Sequence, residues 1–240
     1  MTPRLRSRIA ALLALALAVG GVAAFARAEE RDVDVQLVLA VDSSSSVSMD
    51  EYYLQLEGYA RAFSHPDLWS AIAGGPRRAI AVALIEWAGP RQQVVNFEWR
   101  ILDSPETLAA FAKELAVAPR FVVFGETAIG DAIVRATAMF ASAPGATARR
   151  VIDVSGDGRS NQGVPVAPAR AAALARGIVI NGLAVVNEEP DLEAYYRDAV
   201  IGGDGAFVVV ARDYADFADV ILRKLVREIR LLSEAGATDR

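Results

Sequence analysis

The chain of 240 residues contains no cysteine and a single histidine, His65. Without cysteine there is no disulfide, no thiolate metal site and no cysteine nucleophile. A lone histidine cannot form an imidazole cluster, and this one precedes Pro66, at a helix end, where it reads as a surface or capping residue. The loop after the first apolar strand has no Gly-x-Gly-x-x-Gly. No strand leads into Gly-Lys-Ser/Thr, and no Gly-x-Ser-x-Gly elbow occurs. Dinucleotide, P-loop and elbow-type hydrolase chemistry therefore lack their signatures. Basic residues are also outnumbered, 25 against 30 acidic, for a net charge of −5.

Long apolar stretches are scarce too. The one near bilayer length runs from Ile9 to about Phe25, behind Arg4, Arg6 and Arg8 and ahead of the small-x-small sequence Ala26-Arg27-Ala28. That is the layout of a bacterial Sec-type leader, residues 1–28, with an uncleaved membrane anchor as the other reading. Cleavage would remove four of the 25 basic residues and leave 21 against 30, a net charge of −9. So acidic a product is a poor partner for nucleic acid or anionic membranes. A periplasmic or secreted protein is expected, built as one domain over 29–235 with a frayed tail at 236–240.

What the chain does have is alternation of strands and helices. Val35–Val41 is an apolar run of a kind buried on both faces of a parallel sheet. Further strands are expected at Ala79–Trp87, Gln93–Ile101 (an edge strand), Arg150–Ser155, Ile178–Val186 and Ala206–Val210. Helices are expected at Met49–Phe63, from Pro105 behind the cap Ser104, from Thr127, at Ala167–Arg176, at Pro190–Val200 and at Asp213–Leu232. The pattern predicts an α/β fold: a doubly wound, mostly parallel sheet with one antiparallel edge strand and helices on both faces.

Ligands of such sheets bind beyond the carboxyl ends of the strands. There the first strand stops at Asp42 and passes into Ser43-Ser44-Ser45-Ser46. Asp42, Ser44 and Ser46 form Asp-x-Ser-x-Ser, one carboxylate and two hydroxyls. Hard oxygen donors of this kind suit Mg²⁺. The segments carrying Thr127 and Asp157 should end at the same edge.

With these residues the chain resembles the von Willebrand factor type A (vWA) domain and its metal-ion-dependent adhesion site. That site combines Asp-x-Ser-x-Ser with a distant threonine and a distant aspartate. They are matched here by Asp42-Ser43-Ser44-Ser45-Ser46, by Thr127 in Gly125-Glu126-Thr127-Ala128-Ile129-Gly130 and by Asp157 in Ser155-Gly156-Asp157-Gly158. The likeness covers about Asp32 to Leu232, and Val151–Gly158 is worded like a subgroup of exported bacterial vWA proteins. The resemblance implies a Mg²⁺ site, with Mn²⁺ or Ca²⁺ as alternatives. Ser44, Ser46 and Thr127 would supply hydroxyl oxygens, and Asp42 and Asp157 would act mainly through water. One coordination position would remain for an Asp or Glu carboxylate of a protein or peptide partner. That is binding, with no reaction required. A metal-dependent hydrolase or phosphoesterase, and an envelope domain with a vestigial site, are the other classes to weigh.

Three further features need an explanation. Glu86, near the end of the second strand, is either an acceptor orienting a metal-bound water or serine, or a salt-bridge partner of an arginine. Asp153, inside the fourth strand, is expected to have a structural pairing. Phe121–Phe124 is expected to pack in the core, the sharper alternative being an apolar recognition patch beside the ion.

Overall fold

The computed structural model describes residues 31–147 and 149–235. The expected leader at 1–28 and the tail at 236–240 lie outside the described residues. Six strands form one sheet: β1 (Val35–Asp42), β2 (Ile80–Trp87), β3 (Gln93–Leu102), β4 (Arg149–Gly156), β5 (Ile178–Val185) and β6 (Val208–Ala211). Their order is β3-β2-β1-β4-β5-β6, and every neighbouring pair is parallel except β2 with β3.

β1 and β2 are buried along their whole length, as continuous apolar runs require of central parallel strands. Their side chains alternate between two cores. Val35, Leu37, Leu39 and Val41 pack under α1 (Met49–Ser64), α2 (Pro66–Ala73), α3 (Pro105–Leu115) and α7 (Phe217–Ala235). Val38 and Ala40 pack under α4 (Ile129–Met139), α5 (Val166–Leu174) and the short α6 (Leu192–Tyr195), which continues as one π-helical turn through Val200. The antiparallel edge strand and the helices on both faces match the expectation from sequence.

Three departures from expectation have a local cause. No element is expected over Pro66–Ala73, yet it forms α2. His65 closes α1, then caps α2 by accepting from the Asp67 amide at Nδ1 (3.2 Å). Pro66 stops one helix and opens the next because a missing N–H costs nothing at the first helical position. α4 starts at Ile129, two residues after Thr127. α7 starts at Phe217 rather than Asp213, because Asp213 turns back to accept from the Asp216 amide (2.8 Å).

α1 starts with a full capping box: the Ser48 hydroxyl accepts from the Glu51 amide, and the Glu51 carboxylate accepts from the Ser48 amide. α1 crosses α7 closely at Gly58, where a Cβ would stand 2.9 Å from the Phe217 ring and 3.1 Å from the Ala218 backbone. Under α7 lies a buried charged group. Lys224 Nζ is 2.6 Å from both Asp153 Oδ1 on β4 and Glu228 Oε1. Asn181 on β5 donates to Glu228 (2.9 Å) and accepts from the Phe207 amide (2.9 Å). Asp153 thus has the structural pairing expected of it. Among the described residues no helix is long and apolar enough to cross a membrane.

Candidate metal site

Register brings the candidate residues to one edge. Asp42 is level with Trp87 on β2, and Val41 is level with Ser155 on β4, so β1 and β4 end side by side. After Asp42 the backbone turns sharply. Asp42 Oδ1 accepts from the Ser44 amide (2.8 Å), and the Ser43 amide donates to the Trp87 carbonyl (2.8 Å). Gln55 of α1 donates to the Asp42 carbonyl (3.1 Å).

This turn aims the two motif hydroxyls at β4. Ser44 Oγ and Ser46 Oγ are 3.1 Å apart, and Ser46 Oγ donates to Asp157 Oδ1 (2.7 Å). Asp42, Ser44, Ser46 and Asp157 therefore form one hydrogen-bonded chain. Thr127, from the third segment, comes close to Gly158, the residue after Asp157. Its amide donates to Asn161 Oδ1 and its carbonyl accepts from the Asn161 amide, both at 2.9 Å. Its Oγ1 stands 3.8 Å from where a Cβ on Gly158 would be. Of the five, Asp42, Ser44, Thr127 and Asp157 are buried, and Ser46 is at the surface.

Two carboxylates meet here without a cation from the protein. Burial, and then the charge of Asp157, push Asp42 up to about 7. Burial also raises Asp157, opposed by the hydroxyls of Ser46 and Tyr214 and assisted by the charge of Glu51. One oxygen of each carboxylate, Asp42 Oδ2 and Asp157 Oδ2, is buried with no hydrogen-bond partner. So are the phenol oxygens of Tyr196 and Tyr214 and the indole nitrogen of Trp87. Tyr196 is drawn in closely: a Cβ on Gly156 would meet Asp42 Oδ2 at 2.6 Å, the Tyr196 hydroxyl at 2.8 Å and the Trp87 ring at 3.3 Å. Burial and the charges of Asp42 and Asp157 raise both phenols far above their ordinary range.

Buried polar atoms are rarely left unpaired, and a cluster of them marks a place for ordered water or an ion. The donors are two carboxylates and three hydroxyls. Among the described residues no group of three or more His, Cys, Asp or Glu could hold a metal. Carboxylate and hydroxyl oxygens are hard donors, the kind that suits a divalent cation that keeps several waters.

Glu86 is fully buried at the end of β2, and among the described residues it pairs with neither an arginine nor a serine. Its Oε2 accepts from the amides of Phe121 (2.9 Å) and Val122 (2.7 Å), and its Oε1 accepts from Asn96 Nδ2 (2.6 Å) and the Tyr52 hydroxyl. Four neutral donors satisfy the charge, and the loop above is held by its backbone.

Core packing of Phe121–Phe124 holds only for Val122. Phe121 and Phe124 are 56% and 74% exposed, because Glu86 takes the amides of 121 and 122 and turns the flanking rings outward. Sequence reasoning passed over Tyr196, Tyr214, Trp87 and Asn161. Nothing in their local pattern separates them from core aromatics and loop polar residues.

With this geometry in view, the fold can be compared with solved structures. It is similar to the proximal thread matrix protein 1 of the mussel byssus (TM-score 0.59, 16% identity, covering 84% of this chain and 48% of that one). It is similar to the pilus adhesin SpaC of Lactobacillus rhamnosus GG (TM-score 0.59, 12% identity, 82% and 31%). It is also similar to a von Willebrand factor type A protein of Catenulispora acidiphila (TM-score 0.57, 17% identity, 83% and 43%). Another structure of the mussel protein is described as having a zinc-occupied MIDAS motif. The chain spans less than half the length of each of these proteins. No curated protein matches the sequence. Residues 32–233 match the family described as "Protein of unknown function (DUF1194)".

Proposed function

The chain belongs to the DUF1194 family and has the vWA fold, and on that premise we propose that it is an exported binding module. In this reading residues 1–28 are a leader and 29–235 the mature domain. The edge around Asp42, Ser44, Ser46, Thr127 and Asp157 takes a divalent cation, Mg²⁺ first among the candidates. Bound there, such an ion supplies a Lewis-acid position for an Asp or Glu carboxylate of a protein partner.

The residues divide the work. Ser46 offers a hydroxyl already aimed at Asp157, Ser44 offers one paired with Ser46, and Thr127 would offer a third from the segment beside Gly158. Asp42 and Asp157 balance charge. Asn161 fixes Thr127 through two backbone hydrogen bonds. The hydroxyls and carboxylates at this edge are oxygen donors suited to holding an ion, and capture is the role assigned to them here.

One observation carries the reading: two buried carboxylates, each with an unpartnered oxygen, lie on one hydrogen-bonded chain with Ser44 and Ser46, although Ser46 and Asp157 are 111 residues apart in sequence. The names of the similar proteins, a matrix protein and an adhesin, agree with a module that binds.

The test is thermal unfolding of the mature domain with Mg²⁺ and with chelator. At a hundredfold excess over Kd, Mg²⁺ should stabilise the wild type by about 2.7 kcal/mol, and Asp42→Ala should respond to neither addition. A wild type indifferent to Mg²⁺, Mn²⁺ and Ca²⁺ overturns the proposal.

A further inference from the structure

The loop beside the serine turn shows apolar side chains to solvent while its backbone is tied down. Phe121, Val123 and Phe124 are exposed, yet the Glu86 carboxylate holds the amides of residues 121 and 122. Gln92 Nε2 donates to the Phe124 carbonyl (2.9 Å). Gly125 and Ser45 exchange two hydrogen bonds: the Ser45 amide donates to the Gly125 carbonyl (2.8 Å), and the Gly125 amide to Ser45 Oγ (3.0 Å).

Arg120 completes the attachment. Its guanidinium donates to the carbonyls of Ser43 (2.9 Å), Ser44 (3.2 Å) and Val47 (2.9 Å), and it lies over the Tyr52 ring. The serine turn and the apolar loop are therefore one rigid piece. Beyond Phe121 the surface dips into a depression of about 270 Å³, lined mainly by Phe97, Val117, Ala118 and Pro119.

Charge selects among occupants. Glu126, two residues after Phe124, and Asp50, at the start of α1, are both exposed. Arg120 is committed as above and Arg159 to Glu189 and Asp191, which leaves Arg91, beside Gln92, as an exposed arginine near the aromatic loop. Two exposed acids against one exposed arginine disfavour an acid-rich partner. Rigid aromatic side chains, by contrast, give up little entropy when covered.

We infer that Phe121–Phe124 and the adjoining depression form the second half of the binding surface. They take a bulky apolar side chain from an extended peptide segment that presents a single carboxylate to the Asp42 edge. The carboxylate half rests on the function proposed above; the apolar half does not.

The probe is a panel of fluorescent peptides in Gly-Ser backgrounds. Each has one Asp and, one to three residues away on either side, either Phe or Ser. In Mg²⁺ at least one Asp/Phe peptide should bind about tenfold tighter than its Asp/Ser counterpart. The double substitution Phe121→Ser, Phe124→Ser should abolish that preference and leave Mg²⁺ binding by calorimetry unchanged. Phe124→Ser alone, at the more exposed position, should weaken the preference if the double variant folds poorly.

No difference between Phe and Ser peptides, or a preference that survives in the variants, overturns the inference. Failure of the ion reading is seen separately, as absence of a Mg²⁺ heat in the wild type.

Discussion

Two pairs of buried carboxylates stand on β4 and its surroundings, and they are neutralised in opposite ways. In the middle of the sheet, Asp153 and Glu228 share the ammonium of Lys224 at 2.6 Å each. At the strand ends, Asp42 and Asp157 are joined only through Ser44 and Ser46. Burial raises Asp42 and Asp153 to about 7 alike. What opposes the rise differs: the Lys224 charge for Asp153, hydrogen bonds alone for Asp42. The lower pair carries its counter-ion within the chain and ties α7 to β4. The upper pair has no such residue among the described ones, which agrees with the proposal that its charge is balanced from outside.

The sharpest way to break this comparison is to take away the internal cation. Lys224→Met should leave Asp153 and Glu228 buried without compensation and cost about 3–5 kcal/mol in urea unfolding. Mg²⁺ should not restore the loss, since the strand-end pair is untouched. A cost below about 1 kcal/mol would mean that Lys224 is not the counter-ion described here.

How far each pair was legible in the sequence follows from the kind of pattern it makes. Asp42, Ser44 and Ser46 sit within five residues after a run whose burial periodicity marks it as a central strand, so both motif and position could be read. In sequence Lys224 and Glu228 are spaced i, i+4, which does not distinguish them from a surface pair on an amphipathic helix. They lie one residue before Leu225 and Ile229, at the margin of the apolar stripe, and only the packing of α7 on the sheet puts them inside.

Tyr196 and Tyr214 come from segments far apart in the chain, and no local spacing points a phenol at an aspartate. For Phe121 and Phe124 composition suggested the core. Their direction was set by a carboxylate 35 and 38 residues upstream, at Glu86.

A smaller effect should come from pH. Asp42 and Asp153 ionise near 7 in the fold against an ordinary 3.8. The native state then keeps protons that the unfolded chain has released. From this source, stability is greatest below about pH 4 and is lost as pH rises through about 7. Each such proton contributes at most about 1.4 kcal/mol per pH unit. Saturating Mg²⁺ should flatten the slope between about pH 5 and pH 7, since a cation replaces the Asp42 proton, while the Asp153 share persists. Urea midpoints across that range with equal slopes in Mg²⁺ and chelator would erase the distinction between the two pairs.

The finest test uses two phenols, each buried without a hydrogen-bond partner, one beside each pair. Tyr196 faces Asp42 and Asp157, and Tyr59 faces Asp153 and Glu228. Deleting an unpaired hydroxyl should change stability by less than about 1 kcal/mol in either case. Only Tyr196→Phe touches a group that could orient a water on Asp42. It should weaken Mg²⁺ binding by about tenfold, as loss of an outer hydrogen bond does at metal sites. Tyr59→Phe should leave the Mg²⁺ isotherm unchanged. Equal isotherms for the two variants would show that the strand-end phenol is packing alone, and that the external cation is held by Asp42, Asp157 and the hydroxyls without its help.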